Sequence, residues 1–312
     1  YSSRIYASRL VVIRKENRCG YQHRFISEEI QGHQASTGEV KTDEAVYDNV
    51  IAERLNRLNE VQDHKEGTMS PDDFEFISEI LKERSGLVLT TNKMYLLESR
   101  LLPVARNQGI DSIDDLVAEI RRKKDPALIV KVTEAMTTNE SFFFRDNHPF
   151  ETFTNEVLPK ILEKRASQKS FKIWCAAASS GQEPYSLAMS ILEQERKLSG
   201  WRYDIVGTDI SHDILAKAKA GTYSQFEVQR GMPTTLLVKY FEKNAEQWEL
   251  KPEVRKLVNF KYFNLLENPG PLGRFDIVFC RNVLIYFDQQ TKGKVLDGIS
   301  KIMSDDGVLF LG

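Results

Sequence analysis

With 312 residues, 41% of them hydrophobic and 28% charged, the chain is long enough for two cores and has the composition of an ordinary globular protein. A formal net charge of −2 excludes an overall pull toward nucleic acid or anionic membrane, so a charge-driven partner has to be recognised locally. Cys19, Cys175 and Cys280 are too scattered for a disulfide framework or a metal site, which points to a reducing, cytoplasmic compartment; no apolar run is long enough for direct membrane insertion.

The first 68 residues are an extension of unknown role. Leu10 to Ile13 reads as a short strand, and Ala45 to Val61 has helical spacing through Val50, Leu55, Leu58 and Val61. Ser70 and Pro71 then have the N-cap and first-turn identities of a new helix. From 69 to 136 the pattern is helical throughout, with apolar faces at Phe74/Ile77/Ile80/Leu81, Met94/Leu97/Leu101/Leu102, Ile113/Leu116/Val117/Ile120 and Leu128/Ile129/Val132. Gly86 and Gly109 punctuate this small all-helical domain. Between Arg84 and Arg106, Arg84, Lys93, Arg100 and Arg106 face only Glu98, a cationic excess that suits either a solvated helix face or a docking surface for an acidic partner.

Met136 to Asp146, MTTNESFFFRD, is unusual for a linker, because three adjacent phenylalanines cannot all face water cheaply. A helix through Phe150, Phe153, Val157, Leu158, Ile161 and Leu162 leads to the central stretch, FKIWCAAASSGQEPYSLAM. Phe171 to Cys175 reads as a strand, Ala176 to Gly181 as a turn of small residues, and the segment from Glu183 as a helix, the arrangement at which open α/β sheets hold nucleotides. The turn lacks the glycine fingerprint of dinucleotide sites and the Lys of a P-loop, which favours a different adenosyl ligand. Glu183 can meet an ammonium or hydroxyl group of that ligand, or simply cap its own helix.

Tyr203 to Thr208 is a second strand, ending at Asp209, which can accept from ribose hydroxyls or open the next helix with Ser211. Ile214 to Ala220 and Thr234 to Phe241 read as helices. Leu257 to Phe263 reads as a strand tipped by Asn264 and Leu265, and Phe275 to Cys280 as one tipped by Arg281 and Asn282. The two asparagines can pair with an adenine edge or hold a loop. A helix over Thr291 to Met303 and a strand over Val308 to Leu311 complete a βαβα alternation and hence a mainly parallel, doubly wound sheet.

MTTNESFFFRD, AAASSGQEPYSLA and FDIVFCRNVLIYFD, in that order, give residues 70 to 312 a specific resemblance to the CheR family of chemotaxis receptor methyltransferases. The resemblance implies an α/β fold: a Rossmann-like S-adenosylmethionine-dependent methyltransferase domain over 137–312, preceded by an all-helical receptor-docking domain over 69–136. It implies methyl transfer from S-adenosyl-L-methionine, leaving S-adenosyl-L-homocysteine, to glutamate side chains of chemoreceptors, with the enzyme cytoplasmic and at receptor arrays. Carried over position by position, the cofactor site falls on Asn139, Ser141, Arg145, Glu183, Asp209, Asn264, Leu265, Arg281 and Asn282. Arg145 and Tyr286 then face the reacting centre, and Lys93, Arg100 and Arg106 dock on the receptor's cytoplasmic helices. Arg145 and Arg281 remain alternatives for the cofactor's carboxylate.

Two departures from the family carry expectations of their own. Some members use a small β-subdomain with a Gly-rich loop to hold a receptor tether peptide, whereas the insertion at about 242–256, EKNAEQWELKPEVR over Glu242 to Arg255, is short and has no glycine, which implies tether-independence. The chain also stops at Gly312, before the final strands the family's sheet would include; either it is a fragment or those strands are missing, and unpaired strand edges are then expected. Readings as a Rossmann dehydrogenase, as a cofactor-binding signalling module without catalysis, or as a carboxyl methyltransferase for another protein are the alternatives.

Overall fold

The computed structural model describes residues 10–12, 26–27 and 69–312. The helical spacing at Ala45 to Val61, as well as Cys19, lies outside them. The described residues fall into two compact units, one built from Ser78–Leu89 and Val130–Gly312 with two short N-terminal strands, the other from residues 69–77 and Thr90–Ile129.

The N-terminal strands are β1 (Leu10–Val12) and β2 (Ile26–Ser27). The helical stretch resolves into α1 (Pro71–Ser85), α2 (Met94–Asn107), α3 (Ile113–Lys123) and α4 (Pro126–Met136). Ser70 caps α1 by accepting from the Asp73 amide at 3.1 Å, and Ser112 caps α3 through Asp115. In the smaller unit Leu97, Leu101, Leu116 and Val117 are fully buried. Arg121 of α3 reaches Asp73 at 3.0 Å and lies 4.0 Å above the Phe76 ring, fixing α3 against the first turns of α1.

In the larger unit α5 (His148–Thr152) runs through a π-helical turn at Phe153–Val157 into α6 (Leu158–Lys164), so the apolar spacing read as one helix is one helix with a bulge. There follow β3 (Ser170–Ala176), α7 (Gln182–Leu192), β4 (Arg202–Asp209), α8 (His212–Ala220), β5 (Thr222–Ser224), α9 (Gln225–Gln229), α10 (Thr234–Tyr240), β6 (Phe241–Asn244) and β7 (Gln247–Leu250). The chain closes with α11 (Pro252–Arg255), β8 (Val258–Tyr262), β9 (Phe275–Cys280), α12 (Gln289–Ile302) and β10 (Met303–Leu311).

The main sheet has the order β2-β1-β10-β9-β3-β4-β8, parallel from β10 to β8. From β3 the chain moves outward through β4 to β8, then returns to the other side of β3 as β9 and β10. The order therefore reverses between β3 and β9, and a ligand crevice belongs at their carboxyl ends. The edge of β10 is not bare as expected: β1 pairs with it antiparallel, Leu10 opposite Phe310 and Val12 opposite Val308.

The segment from 222 to 250 also departs from the sequence reading. Instead of a plain insertion, β5, β7 and β6 form a separate antiparallel sheet, and the β6–β7 hairpin turns at Ala245 with φ 52°. Its edge-on aromatic contacts explain the Phe-rich linker: the Phe143 ring sits 5.0 Å from Tyr223 and 5.6 Å from Phe241, all three buried. Phe144 is also buried and approaches Phe150 at 5.3 Å, whereas Phe142 is only half-buried. Cys175 and Cys280 are buried core residues whose thiols burial pushes up, Cys280 to about 12.

Gly231 has φ +82°, and a Cβ there would lie 2.0 Å from the Phe143 carbonyl oxygen; Gly200 has φ +77° with nothing within 4 Å. Gly231→Ala is therefore expected to lower unfolding stability by about 4 kcal/mol or abolish folding, against about 1 kcal/mol for Gly200→Ala, read from urea midpoints. Equal midpoint shifts would mean that the backbone contact between Gly231 and Phe143 is absent in solution.

Candidate functional site

The carboxyl ends of β3, β4, β8 and β9 converge on one cleft enclosing about 1040 Å³, its open mouth included. Asn139, Ser141, Arg145, Glu183, Asp209, Asn264, Leu265, Arg281, Asn282 and Tyr286 all line it. Lys93, Arg100 and Arg106 lie in the other unit. Lys93 and Arg106 are exposed, Arg100 half-buried, and six residues of helix put Arg106 roughly 120° around from Arg100, so α2 does not present all three on one face.

The floor is the turn between β3 and α7. Ala177 and Ser179 have φ of 60° and 50°, and Gly181, the N-cap of α7, has 92°. Positive φ at Ala177 and Ser179 is strained, and neighbouring bonds hold it. The Ala178 amide donates to the Thr208 carbonyl at 2.8 Å, the Ser179 amide to Asp209 Oδ2 at 2.8 Å, and Ser179 Oγ to the Asn139 carbonyl at 3.0 Å. At Gly181 a Cβ would sit 3.0 Å from the Tyr185 ring and 3.1 Å from Phe260, so here the turn also demands a residue without a side chain.

Asp209 thus does part of what each reading of the sequence expected. Its Oδ1 accepts from the Ser211 amide at 3.1 Å while Ser211 caps α8 through Ile214, and its Oδ2 holds the floor turn. A carboxylate has about four lone-pair sites, and the backbone donors Ser211, Ser179 and Ile210 leave at least one for a ligand. Burial lifts its pKa above the usual carboxylate range, and the backbone donors from Ser211 and Ser179 oppose that shift. Asn264 is used more fully as a brace. Its Nδ2 donates to the Arg84 carbonyl at 2.7 Å and its Oδ1 accepts from the Leu266 amide at 3.0 Å. With the Val88 amide bonded to the Tyr286 carbonyl at 3.0 Å, these contacts fix the rim formed by Ser85 and Leu87.

Arg281 is the centre of the site. Its side chain is 1% exposed; Nη1 donates to Glu183 Oε2 at 3.0 Å, and Nη2 to Asp146 Oδ2 at 2.6 Å and the Arg145 carbonyl at 3.1 Å. One guanidinium thereby joins the tip of β9, the first turn of α7 and the linker. Its Nε is buried with no hydrogen-bond partner in the protein. Buried donors are rarely left so. Glu183 does not cap α7 with its side chain, since it is committed to Arg281. Burial raises its pKa, and Arg281 pulls the other way. Asp146 was missed in the sequence, although the acid ending MTTNESFFFRD is the natural partner for a buried arginine.

Residues 139–312 match the family model described as CheR methyltransferase, SAM binding domain, and residues 72–137 the one described as CheR methyltransferase, all-alpha domain. The chain is 43% identical over 244 residues to the chemotaxis protein methyltransferase Cher2 of Pseudomonas putida, covering 77% of this chain and 88% of that protein. Chemotaxis protein methyltransferase 1 of Pseudomonas aeruginosa matches with the same identity and coverage. The chemotaxis protein methyltransferase of Vibrio anguillarum is 39% identical over 248 residues, 78% of this chain and 89% of its own.

Removing Arg281 would leave Glu183 buried without its cation. Arg281→Met is expected to destabilise the folded protein by about 3–5 kcal/mol at neutral pH, and Arg281→Met/Glu183→Gln to recover most of that loss. Chemical denaturation at matched pH tests this; a double variant no more stable than the single one would refute the pairing.

Proposed function

The chain belongs to the CheR methyltransferase family, S-adenosylmethionine-dependent enzymes of chemotaxis, and from that premise we propose that it esterifies glutamate side chains on the cytoplasmic helices of chemoreceptors. The observation that carries the reading is the cleft's charge pattern around Arg281. Glu140, Glu183 and Asp209 outnumber Arg145 and Arg281 among the lining residues, which suits a ligand with one net positive charge. Glu183 would hold the cofactor's ammonium, Asp209 a ribose hydroxyl, and Leu265 the base. Asn139, Ser141, Asn264 and Asn282 would complete the wall, Asn264 with the one donor its bracing role leaves free.

When bound, the cofactor supplies an activated sulfonium methyl. A glutamate carboxylate, with an ordinary pKa near ~4.3, is already the nucleophile at neutral pH, so the protein needs no general base. What its residues must do is hold a carboxylate oxygen ~3–3.5 Å from the methyl carbon and strip it of water. Arg145, on the linker, and Tyr286, which follows β9, are the two groups that could orient that carboxylate. With Arg281 enclosed by Glu183 and Asp146, the substrate-facing cation is Arg145.

Lys93, Arg100 and Arg106 would meet acidic receptor helices on more than one side of α2. The β6–β7 hairpin turns without glycine, which supports recognition of the receptor without a tether peptide. Among the described residues no helix is long and apolar enough to cross a membrane, which fits an enzyme that visits receptor arrays from the cytoplasm.

Incubation with radiolabelled S-adenosylmethionine and receptor-containing membranes should put alkali-labile label on the receptor. Arg145→Ala should lower the rate about 100-fold. Cofactor binding with no labelled receptor would sink the substrate assignment and leave the fold untouched. A pH dependence also follows. An acid whose folded pKa is raised keeps its proton above the ordinary value of 4.5, so Glu183 ionises only as pH climbs beyond that value. A ligand ammonium needs the ionised form. Titration calorimetry should therefore show S-adenosylhomocysteine binding tighter as pH rises through this window, with proton release, and Glu183→Gln should flatten the dependence. A slope unchanged in that variant would remove Glu183 from the ammonium site.

A further inference from the structure

We infer that Arg230, which follows α9 and lies outside the cleft lining, is a positioning residue for Arg145. This inference rests on the reading of Arg145 as the substrate-facing cation. Arg145 is held from two sides: its Nη1 donates to the Glu140 carbonyl at 3.1 Å, and its guanidinium lies 5.1 Å from the centre of the Phe142 ring. Arg230 grips both of these supports. Its Nη2 pairs with Glu140 Oε1 at 2.8 Å, and its guanidinium lies 4.3 Å from the centre of the same Phe142 ring.

Phe142, the half-buried one of the three phenylalanines, thus meets both guanidiniums. The position of Arg230 is itself fixed. Gly231 brings the backbone beside it flush against the Phe143 carbonyl, closer than any residue with a Cβ could come. Ser224 and Glu227 form a capping box at the start of α9, which sets the approach of the chain.

The Arg230–Glu140 pair has side chains 42% and 56% exposed, so as an ion pair it adds little stability. Its effect is geometric. A guanidinium must be aimed at the substrate carboxylate to within a fraction of an ångström, and Arg145 sits on a linker whose neighbours Phe144, Asp146 and Asn147 have left-handed backbones of 50°, 66° and 46°. Such a segment keeps one conformation only while its contacts over-determine it.

The test is a double-mutant cycle on methyl transfer to receptor-containing membranes, using Arg230→Gln, Arg145→Ala and the pair, with Arg230→Lys as the conservative variant. Arg230→Gln should lower kcat about tenfold with the melting temperature and the S-adenosylhomocysteine Kd nearly unchanged, Arg230→Lys should recover most of the rate, and the effect of Arg230→Gln should vanish in the Arg145→Ala background. An Arg230→Gln effect that persists in that background, or one confined to the KM for receptor, would overturn the inference and make Arg230 an independent contact. Full activity of Arg145→Ala alone would instead remove the reading beneath it.

Discussion

The buried guanidinium of Arg281 is the constraint on which the site depends. A charge with 1% of its side chain exposed is tolerable only if hydrogen-bonding anions and carbonyls meet it, and the network joins three separate pieces of chain. Glu183 arrives on the first turn of α7, Asp146 and the Arg145 carbonyl on the linker, and Arg281 at the end of β9. Satisfying one charge therefore closes the linker over the strand tips. The Ser186 hydroxyl adds a second fastening to α7 by accepting from the Phe144 amide at 3.0 Å. Together these bonds hold a backbone that would otherwise relax, since left-handed non-glycine residues cost about 1–3 kcal/mol each.

The price of this arrangement falls on the cleft's own carboxylates. Burial lifts both Glu183 and Asp209, so their ionised forms are less stable in the fold than in the unfolded chain. Their contribution to folding is fully present below the unfolded pKa and is lost as pH rises through the folded one. A ligand with complementary charges relieves that cost, and a fold that bears strain and desolvation where it binds is one whose affinity comes from preorganisation.

Much of this was legible in the sequence because it rests on local pattern. The alternation of strand and helix, the small-residue turn and the acid and arginine at strand tips each carry a short-range signature, and three motifs in order specify the family. What was hidden is long-range or lies on short elements. Four-residue strands such as β6 and β7 have no periodicity to read, so the antiparallel sheet looked like an insertion. The pairing of β1 with β10 joins residues some three hundred apart in sequence, beyond any local rule. Asn264 follows the tip of β8, but the carbonyl it braces, that of Arg84, lies 180 positions upstream. Gly231 gave no signal, because a glycine's need is set by what lies against it and not by its neighbours in the chain.

The linker is what connects these hidden parts to the legible ones. Phe143 packs edge-on against Tyr223 of β5 and Phe241 of β6, while two residues on, Arg145 lines the cleft. Three fully or nearly fully buried rings at T-shaped distances leave no free volume for one to shift alone, because cores are close-packed. The small antiparallel sheet and the cleft therefore share one rigid segment, fastened by aromatic packing at Phe143 and by the Arg281 ion network at Asp146. A change at either fastening must be taken up by the residues between them. Phe144 is locked in the core, and so the compliant member is Arg145, whose side chain is held, among the described residues, by one carbonyl and one ring.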